Sequence, residues 1–535
     1  MKNILIYSSI MCSALVACGG SENETEAETG ATIPALYSYS RPDTFGINKT
    51  ADILLPMRDG FNLTCDLYRP AVADGSLASG KFPGIVAAYH GYGRTMPPFS
   101  QVGESFIFSP ALARKGYNIL RCQTRGSQGT GGGSPAPQSV ELVEPWQKQE
   151  QIDNYDVVEW LGAQPFSTGR IGQVGGSYSA ITSLLVAGRQ PSPPSLKAIV
   201  PYSGATDMYL QFAYPGGIRT AENGDARGAW AYNCSTLTGE ESCSTRLPNE
   251  WAAHPTYDAY WEEQAIDPGE ISAATLYING YHDIFIAAAD AITPTLNARD
   301  DFSMILGPKG HGAVGTDLKE SVILAWFDKW LRQDSVPRFP KVIAFEEPVQ
   351  GGQDRAYSSW PPRSVVNTTM YFQADGVLNS QPGSSHTDTY QVSDGNTSED
   401  LLYTTQPYSE ARLLAGPMNV TLDVAFSASD GNLIASVSDV SPDGTEASLG
   451  LAGYLKASHR ESHKSPTPLV PNQFYSINIT IPSKHWRIDA GHRLRLKISS
   501  TDSVVVSDAP AGTVSIRGGG AQASVLVLPL IESRK

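Results

Sequence analysis

The chain has 535 residues, a formal net charge of −15 and six cysteines. Apolar residues make up 41% of it, enough to build large cores, which excludes an intrinsically disordered chain. Acidic residues outnumber basic ones 54 to 39 with no basic block, and a phosphate-tracking surface needs clustered positive charge, so a nucleic-acid binder is excluded too.

The first elements are targeting elements. Lys2, an apolar run from Ile4 to Val16, and then Leu15-Val16-Ala17-Cys18 read as a signal peptide. The run is too short to span a bilayer, which takes about 20 residues. Residues 1–17 resemble a bacterial lipoprotein signal, which implies a mature chain starting at a lipidated Cys18. The alternative is an ordinary secretory signal with Cys18 incidental. Residues 18–34 are small, polar and acidic, as suits a flexible tether, and Gly19 after the lipidated cysteine favours the outer membrane. The expectation is an exported protein, periplasmic or at the outer membrane, that touches membrane only through its lipid anchor. Export makes disulfides durable. Cys234 and Cys243 close a short polar loop and are disulfide candidates. Cys65 and Cys122 sit in two predicted strands and either pair across them or remain buried thiols. No Cys/His cluster has metal-ligand spacing, so no metal site is expected.

Between Asp52 and Pro201, strand-like runs (residues 85–88, 117–120, 171–174 and 196–201) alternate with helical patterns such as Ile152 to Leu161. Such alternation means a parallel sheet with crossovers. Residues 35–204 form the first part of this unit. Residues 205–272, rich in Tyr, Trp, Gly and Asn, lack strand periodicity and read as an inserted, mainly helical cap. The sheet pattern resumes over 273–336, with strands at 275–279 and 302–306 and a helix from Leu318 to Leu331. From 337 to 535 the pattern changes. Met418, Val420, Leu422, Val424 and Phe426 alternate strictly, as do Leu494, Leu496 and Ile498 with Arg493, Arg495 and Lys497. This is the half-buried strand signature, and it predicts an all-β jelly-roll sandwich. The organisation is thus an α/β core with an inserted cap, followed by a C-terminal β-sandwich; the serine, acid and histidine read next make that core an α/β-hydrolase core.

Gly175-Gly176-Ser177-Tyr178-Ser179 follows a predicted strand and opens a helical run. A serine on such a turn is held exposed above the sheet, and the helix N-terminus offers amides to a developing oxyanion. Ser179 stands where the usual elbow has glycine. A serine hydroxyl needs a positioned base, and the base an orienting carboxylate. In α/β-hydrolases these follow in the order Ser, acid, His at the ends of later strands. Asp283, in Gly280-Tyr281-His282-Asp283, and His311, in Gly307-Pro308-Lys309-Gly310-His311-Gly312, hold those places. His282 is the nearest competitor, but it precedes its carboxylate.

With these residues in view, the chain resembles the cocaine-esterase and X-Pro dipeptidyl-peptidase family of serine hydrolases over almost everything after Ala51. Met57-Arg58-Asp59-Gly60 with Asp66-Leu67-Tyr68-Arg69-Pro70 resembles the family's opening. Glu159-Trp160-Leu161, Gln164-Pro165-Phe166 and Gly169-Arg170-Ile171-Gly172 lead into Gly175-Gly176-Ser177-Tyr178-Ser179-Ala180, where the family prefers glycine at Ala180. Trp360-Pro361-Pro362, the run Ser438 to Gly444, Gly453 to Arg460 and Gly491 to Leu496 are similar to its β-domain. The resemblance implies Ser177 as nucleophile, Asp283 as orienting acid and His311 as general base and acid. It also implies an oxyanion hole from the Tyr178 backbone N–H and the Tyr92 hydroxyl. From the residues alone, the glycine-flanked loop around Tyr92 is where such hydrolases put their second oxyanion donor. One departure is that Gln123, with Cys122 and Thr124, precedes Arg125-Gly126, where the family often has an aspartate. The glycine-rich loop 127–134 lacks a phosphate-loop lysine.

The expected function is cleavage of ester or amide bonds in small substrates through an acyl-enzyme, with no metal or organic cofactor implied. One alternative is an X-Pro dipeptidyl aminopeptidase acting on short peptides, whose substrate ammonium would need a cleft carboxylate; Glu222, Asp225, Glu240 and Glu241 in the cap are candidates. A catalytically dead, glycan-binding surface protein is the other alternative.

Overall fold

The computed structural model describes residues 32–87, 89–91, 110–125, 145–221, 249–308, 310–311, 316–348, 354–393, 396–397, 400–506, 508–520 and 523–532. Within them, β1 (Gly46–Pro56) and β2 (Asn62–Ala71) pair antiparallel. They are joined by a tight turn where Asp59 Oδ1 accepts the Phe61 amide at 3.0 Å and Gly60 takes φ +88°, a conformation that favours glycine. β2 pairs with β4 (Asn118–Cys122), and Cys65 stands directly opposite Cys122. Their sulfurs are bonded.

From β4 onward the strands run parallel through β3 (Phe82–Ala87), β5 (Ser167–Gly176), β6 (Leu196–Tyr202), β7 (Ala274–Gly280) and β8 (Phe302–Gly307). The order across the sheet is β1-β2-β4-β3-β5-β6-β7-β8-β9-β10. Successive side chains of one strand enter different cores, Val86 and Leu120 on one face, Ile85 and Ile119 on the other. That is why these segments read as unbroken apolar runs. Helix α2 (Lys148–Ala163) and helix α3 (Tyr178–Gly188) cover the first face. Helix α1 (Thr32–Tyr37) contributes Ile33 and Leu36 to the second.

Residues 205–272 were expected to be mainly helical. Their described parts hold short helical pieces, at 209–213, 215–217, 249–253, helix α4 (Ala259–Glu262) and 268–270. What organises them is aromatic packing: Tyr209, Phe212, Tyr214, Trp251 and Trp261 form one buried cluster with Tyr178 and Phe285. Large rings bury much apolar area without a helical period. Helix α5 (Ile286–Ala298) then returns to the first face and helix α6 (Thr316–Phe327) to the second.

The first sheet continues past residue 337. β9 (Val342–Phe345) pairs parallel with β8, and β10 (Asp354–Tyr357) pairs antiparallel with β9. Val342 and Ala344 fill one core and Ile343 the other, so these three residues are buried on both faces of the first sheet. The C-terminal β domain follows from β11 (Val366–Gln373) to β23 (Val525–Glu532). It is a sheet of 13 strands in which side chains from β16 (Arg412–Phe426) and β21 (Arg493–Ser499) meet in one core. The alternating residues of both strands point into that core.

Candidate active site

Ser177 sits at the joint between β5 and α3 with φ 55° and ψ −120°. Such a conformation costs a residue with a Cβ about 1–3 kcal/mol and persists only where its surroundings enforce it. Here the Ser177 amide donates to Tyr202 O at 2.9 Å, and its carbonyl accepts the Ala180 and Ile181 amides at 2.9 and 3.1 Å. Ser179, which departs from the usual elbow, and Ala180, which departs from the family's run, are both accommodated by facing glycines. A Cβ on Gly175 would lie 2.1 Å from Ser179 Cβ, and one on Gly204 would lie 2.6 Å from Ala180 Cβ. Each pair has room for one side chain, so Ser179 and Ala180 are tolerated because Gly175 and Gly204 have none.

Because β5, β6, β7 and β8 are parallel neighbours, their C-terminal ends share one edge. Bonds of 2.9 Å from Ser177 N to Tyr202 O, Ser203 N to Ile278 O and Tyr281 N to Gly307 O stitch it. Asp283 follows β7 and His311 follows β8. The Asp283 side chain is fully buried and accepts the Phe285 amide at 3.0 Å. His311 Nδ1 lies 3.2 and 3.3 Å from the two Asp283 oxygens, which assigns the ring proton to Nδ1 and leaves Nε2 basic. Among the described residues no hydrogen bond joins Ser177 Oγ to that ring; catalytic contacts in unliganded enzymes are often long and tighten on binding substrate. The competitor, His282, meets Glu347 Oε1 at 2.9 Å instead.

Tyr178 opens α3, so its backbone N–H belongs to the helix's first turn, whose amides have no intrahelical acceptor. Its ring lies 4.9 Å from Trp146, Phe212 lies 5.4 Å from both Phe285 and Trp251, and Phe285 lies 5.7 Å from His311. An aromatic wall therefore runs alongside the nucleophile and base. Tyr92, Cys18, Cys234, Cys243, the loop at 127–134 and the cap carboxylates Glu222, Asp225, Glu240 and Glu241 lie outside the described residues.

Where the family often has an aspartate before its Arg-Gly pair, Gln123 is buried. The arginine keeps its anchors nonetheless. Arg125 Nε and Nη2 donate to Asp153 on α2 at 2.8 and 2.7 Å, and Nη1 reaches Asp59 at 2.8 Å.

The site also contains a carboxylate that motif reading missed. Glu150 on α2 is 2% exposed; it accepts the Tyr178 hydroxyl at 2.6 Å and the Trp146 amide. Its signal was its register, since Glu150, Asn154, Val157 and Leu161 share the buried face of α2. Burial pushes this carboxyl up to about 7, against the opposing pull of its two hydrogen bonds. Its folded value lies above its unfolded one, so the folded state binds more protons across about pH 4.5 to 7, and stability falls as pH rises through that window. Glu150→Gln removes that titration. The variant is expected to show a shallower loss of melting temperature between those pH values, the difference being on the order of 3 kcal/mol; parallel melting curves at each pH would contradict this.

Comparisons with known proteins agree with this architecture. Residues 59–313 match the X-Pro dipeptidyl-peptidase (S15 family) model, and residues 335–515 match the X-Pro dipeptidyl-peptidase C-terminal non-catalytic domain. The cocaine esterase of Rhodococcus sp. (strain MB1 Bresler) is 23% identical over 84% of this chain and 90% of its own. A CocE/NonD family hydrolase from Staphylococcus aureus superposes with a TM-score of 0.77 at 21% identity, over 93% of this chain and 100% of its own. An aminopeptidase from a Thaumarchaeota archaeon superposes with a TM-score of 0.72 at 20% identity, over 92% and 98%. Matched by the S15 model over residues 59–313 and by its C-terminal partner over 335–515, and similar to these relatives, the chain is a serine hydrolase, an esterase or a peptidase.

Proposed function

We propose that the protein hydrolyses ester or amide bonds of small substrates through a Ser177–His311–Asp283 triad and an acyl-enzyme. The observation that carries this reading is the buried Asp283 carboxylate against His311 Nδ1, at the strand edge where Ser177 is held in its strained turn. Ser177 Oγ attacks the carbonyl carbon while His311 Nε2 takes the hydroxyl proton. Asp283 fixes the ring and stabilises the imidazolium. The oxyanion is received by the Tyr178 N–H and the Tyr92 hydroxyl. His311 then delivers its proton to the departing alcohol or amine as the bond to it breaks. A water attacks the acyl-enzyme in turn, giving a proton to His311; the bond from the acyl carbon to Ser177 Oγ then breaks as His311 returns that proton to Oγ, releasing the acid.

The aromatic wall supports an apolar group beside the scissile bond. The choice between small esters and X-Pro dipeptides is tested by pairing acyl p-nitrophenyl esters with X-Pro p-nitroanilides. Turnover of the esters in preference by orders of magnitude is the expected result, and the reverse preference would make the enzyme a dipeptidyl-peptidase. Tyr92→Phe is expected to lower kcat by about 100- to 1000-fold, the 2.7–4 kcal/mol of one oxyanion donor, with an unchanged melting temperature; wild-type turnover would remove Tyr92 from the site. Export on a lipid anchor at Cys18 belongs to the same reading, supported by the Cys65–Cys122 bond, since disulfides persist outside the cytosol.

A further inference from the structure

A buried polar cluster lies between the catalytic-acid loop and the β domain, and the reaction as written does not use it. Lys484, on β20 (Tyr475–Ile488), is 1% exposed. Its Nζ donates to Tyr281 O at 3.2 Å, two residues before Asp283. A Cβ on Gly450 would lie 3.2 Å from Lys484 Nζ, 3.0 Å from Tyr281 O and 2.9 Å from His282 Nδ1, so only a glycine lets the three groups close on one another. His282, the next residue along, is held from the other side by Glu347. Glu347 is in turn stitched to β20, its amide donating to His485 O at 2.9 Å and its carbonyl accepting the Arg487 amide at 2.6 Å. Beyond Asp283, Asp290 on α5 accepts the Ser483 amide at 2.9 Å and the Ser483 hydroxyl. Residues 281, 282 and 290, on both sides of Asp283 in the chain, are thus fastened to β20 or to a segment bonded to it.

A buried ammonium is costly unless compensated, and a lysine stem alone would pack as well as methionine does. What the charge adds is a strong, fixed donor to one backbone carbonyl of the loop. We propose that Lys484, although it belongs to the β domain, is a positioning residue for the triad: its ammonium holds the Tyr281 carbonyl and thereby sets Asp283 against His311. This rests on Asp283 being the triad's acid. The groups facing Lys484 are Glu347 from the segment after β9, Asp290 from α5, and His282 from the loop itself. Burial brings the ammonium down to about 8, with the Glu347 and Asp290 charges pulling the other way. Above that pH the neutral amine is a weaker donor, and turnover is expected to fall.

The test measures kcat and KM for one ester from about pH 6 to 10 in wild type, Lys484→Met and Glu347→Gln, with fluorophosphonate labelling of Ser177 in each. Lys484→Met is expected to lower kcat about tenfold with KM within about twofold, and to lose the alkaline limb near pH 8. Glu347→Gln still offers His282 an acceptor but removes a negative charge facing Lys484, so its limb moves to lower pH. Should Lys484→Met fail to fold, that shift alone decides. Wild-type kcat with the limb intact in Lys484→Met, or an unmoved limb in Glu347→Gln, overturns the proposal while labelling of Ser177 leaves the triad standing. Absence of labelling in the wild type removes the triad, and the proposal falls with it.

Discussion

Ser177→Ala is expected to lower kcat roughly a millionfold, the loss seen when the nucleophile of a serine triad is deleted. The substitution leaves the other groups of the proposed mechanism in place: the Tyr178 amide at the start of α3, the His311–Asp283 pair, and the aromatic wall. None of these touches carbonyl carbon, so what remains is oxyanion stabilisation acting on water. The substitution should leave the fold intact, because alanine carries the same Cβ into φ 55° and keeps both amide bonds to the Ser177 carbonyl. Glycine is the informative contrast. Ser177→Gly is expected to be equally inactive yet about 1 kcal/mol more stable than Ser177→Ala, since glycine takes positive φ without steric cost. Turnover above about a hundredth of wild type in both variants would mean that another group attacks the substrate.

Loss of the Cys65–Cys122 bond is expected to destabilise the first sheet by about 4 kcal/mol, the chain-entropy value for a loop of the 57-residue separation it closes. β2 meets β4 through four residue pairs, 65–68 with 119–122, and the bond ties the two strands at one end of that short ladder. Both cysteines are 0% exposed and packed in the first core. The paired variant Cys65→Ala/Cys122→Ala therefore adds a small cavity loss to the lost cross-link. In urea, followed by a probe in the α/β unit, the wild-type midpoint should fall on reduction, while the variant's should already be low and insensitive to reductant. Equal midpoints with and without reductant in the wild type would contradict the assignment.

The central strands and the serine elbow are legible in the sequence because each obeys a local rule. A strand buried on both faces reads as an unbroken apolar run, and a strand entering a helix through small residues marks the elbow. β9 and β10 escape such reading, since four residues carry no period and only their neighbours β8 and Tyr357's core place them in the first sheet. The described part of the cap is hard to read for a related reason: its rings pack on rings, and its helical pieces are too short to show a helical period. Ser179 and Ala180 look like defects of the elbow until Gly175 and Gly204 are seen facing them. Glu150 and Lys484 are hidden by their type: charged residues are usually solvated, and their partners, Tyr178 and Tyr281, lie 28 and 203 residues away.

The central claim is that one serine, activated across three strand ends, carries the chemistry. A fluorophosphonate probe followed by peptide mapping tests it most directly. A single adduct on Ser177 is expected, formed by the wild type, abolished in Ser177→Ala and slowed by orders of magnitude in His311→Ala. An unlabelled wild type, or an adduct that persists when Ser177 is replaced, would contradict it.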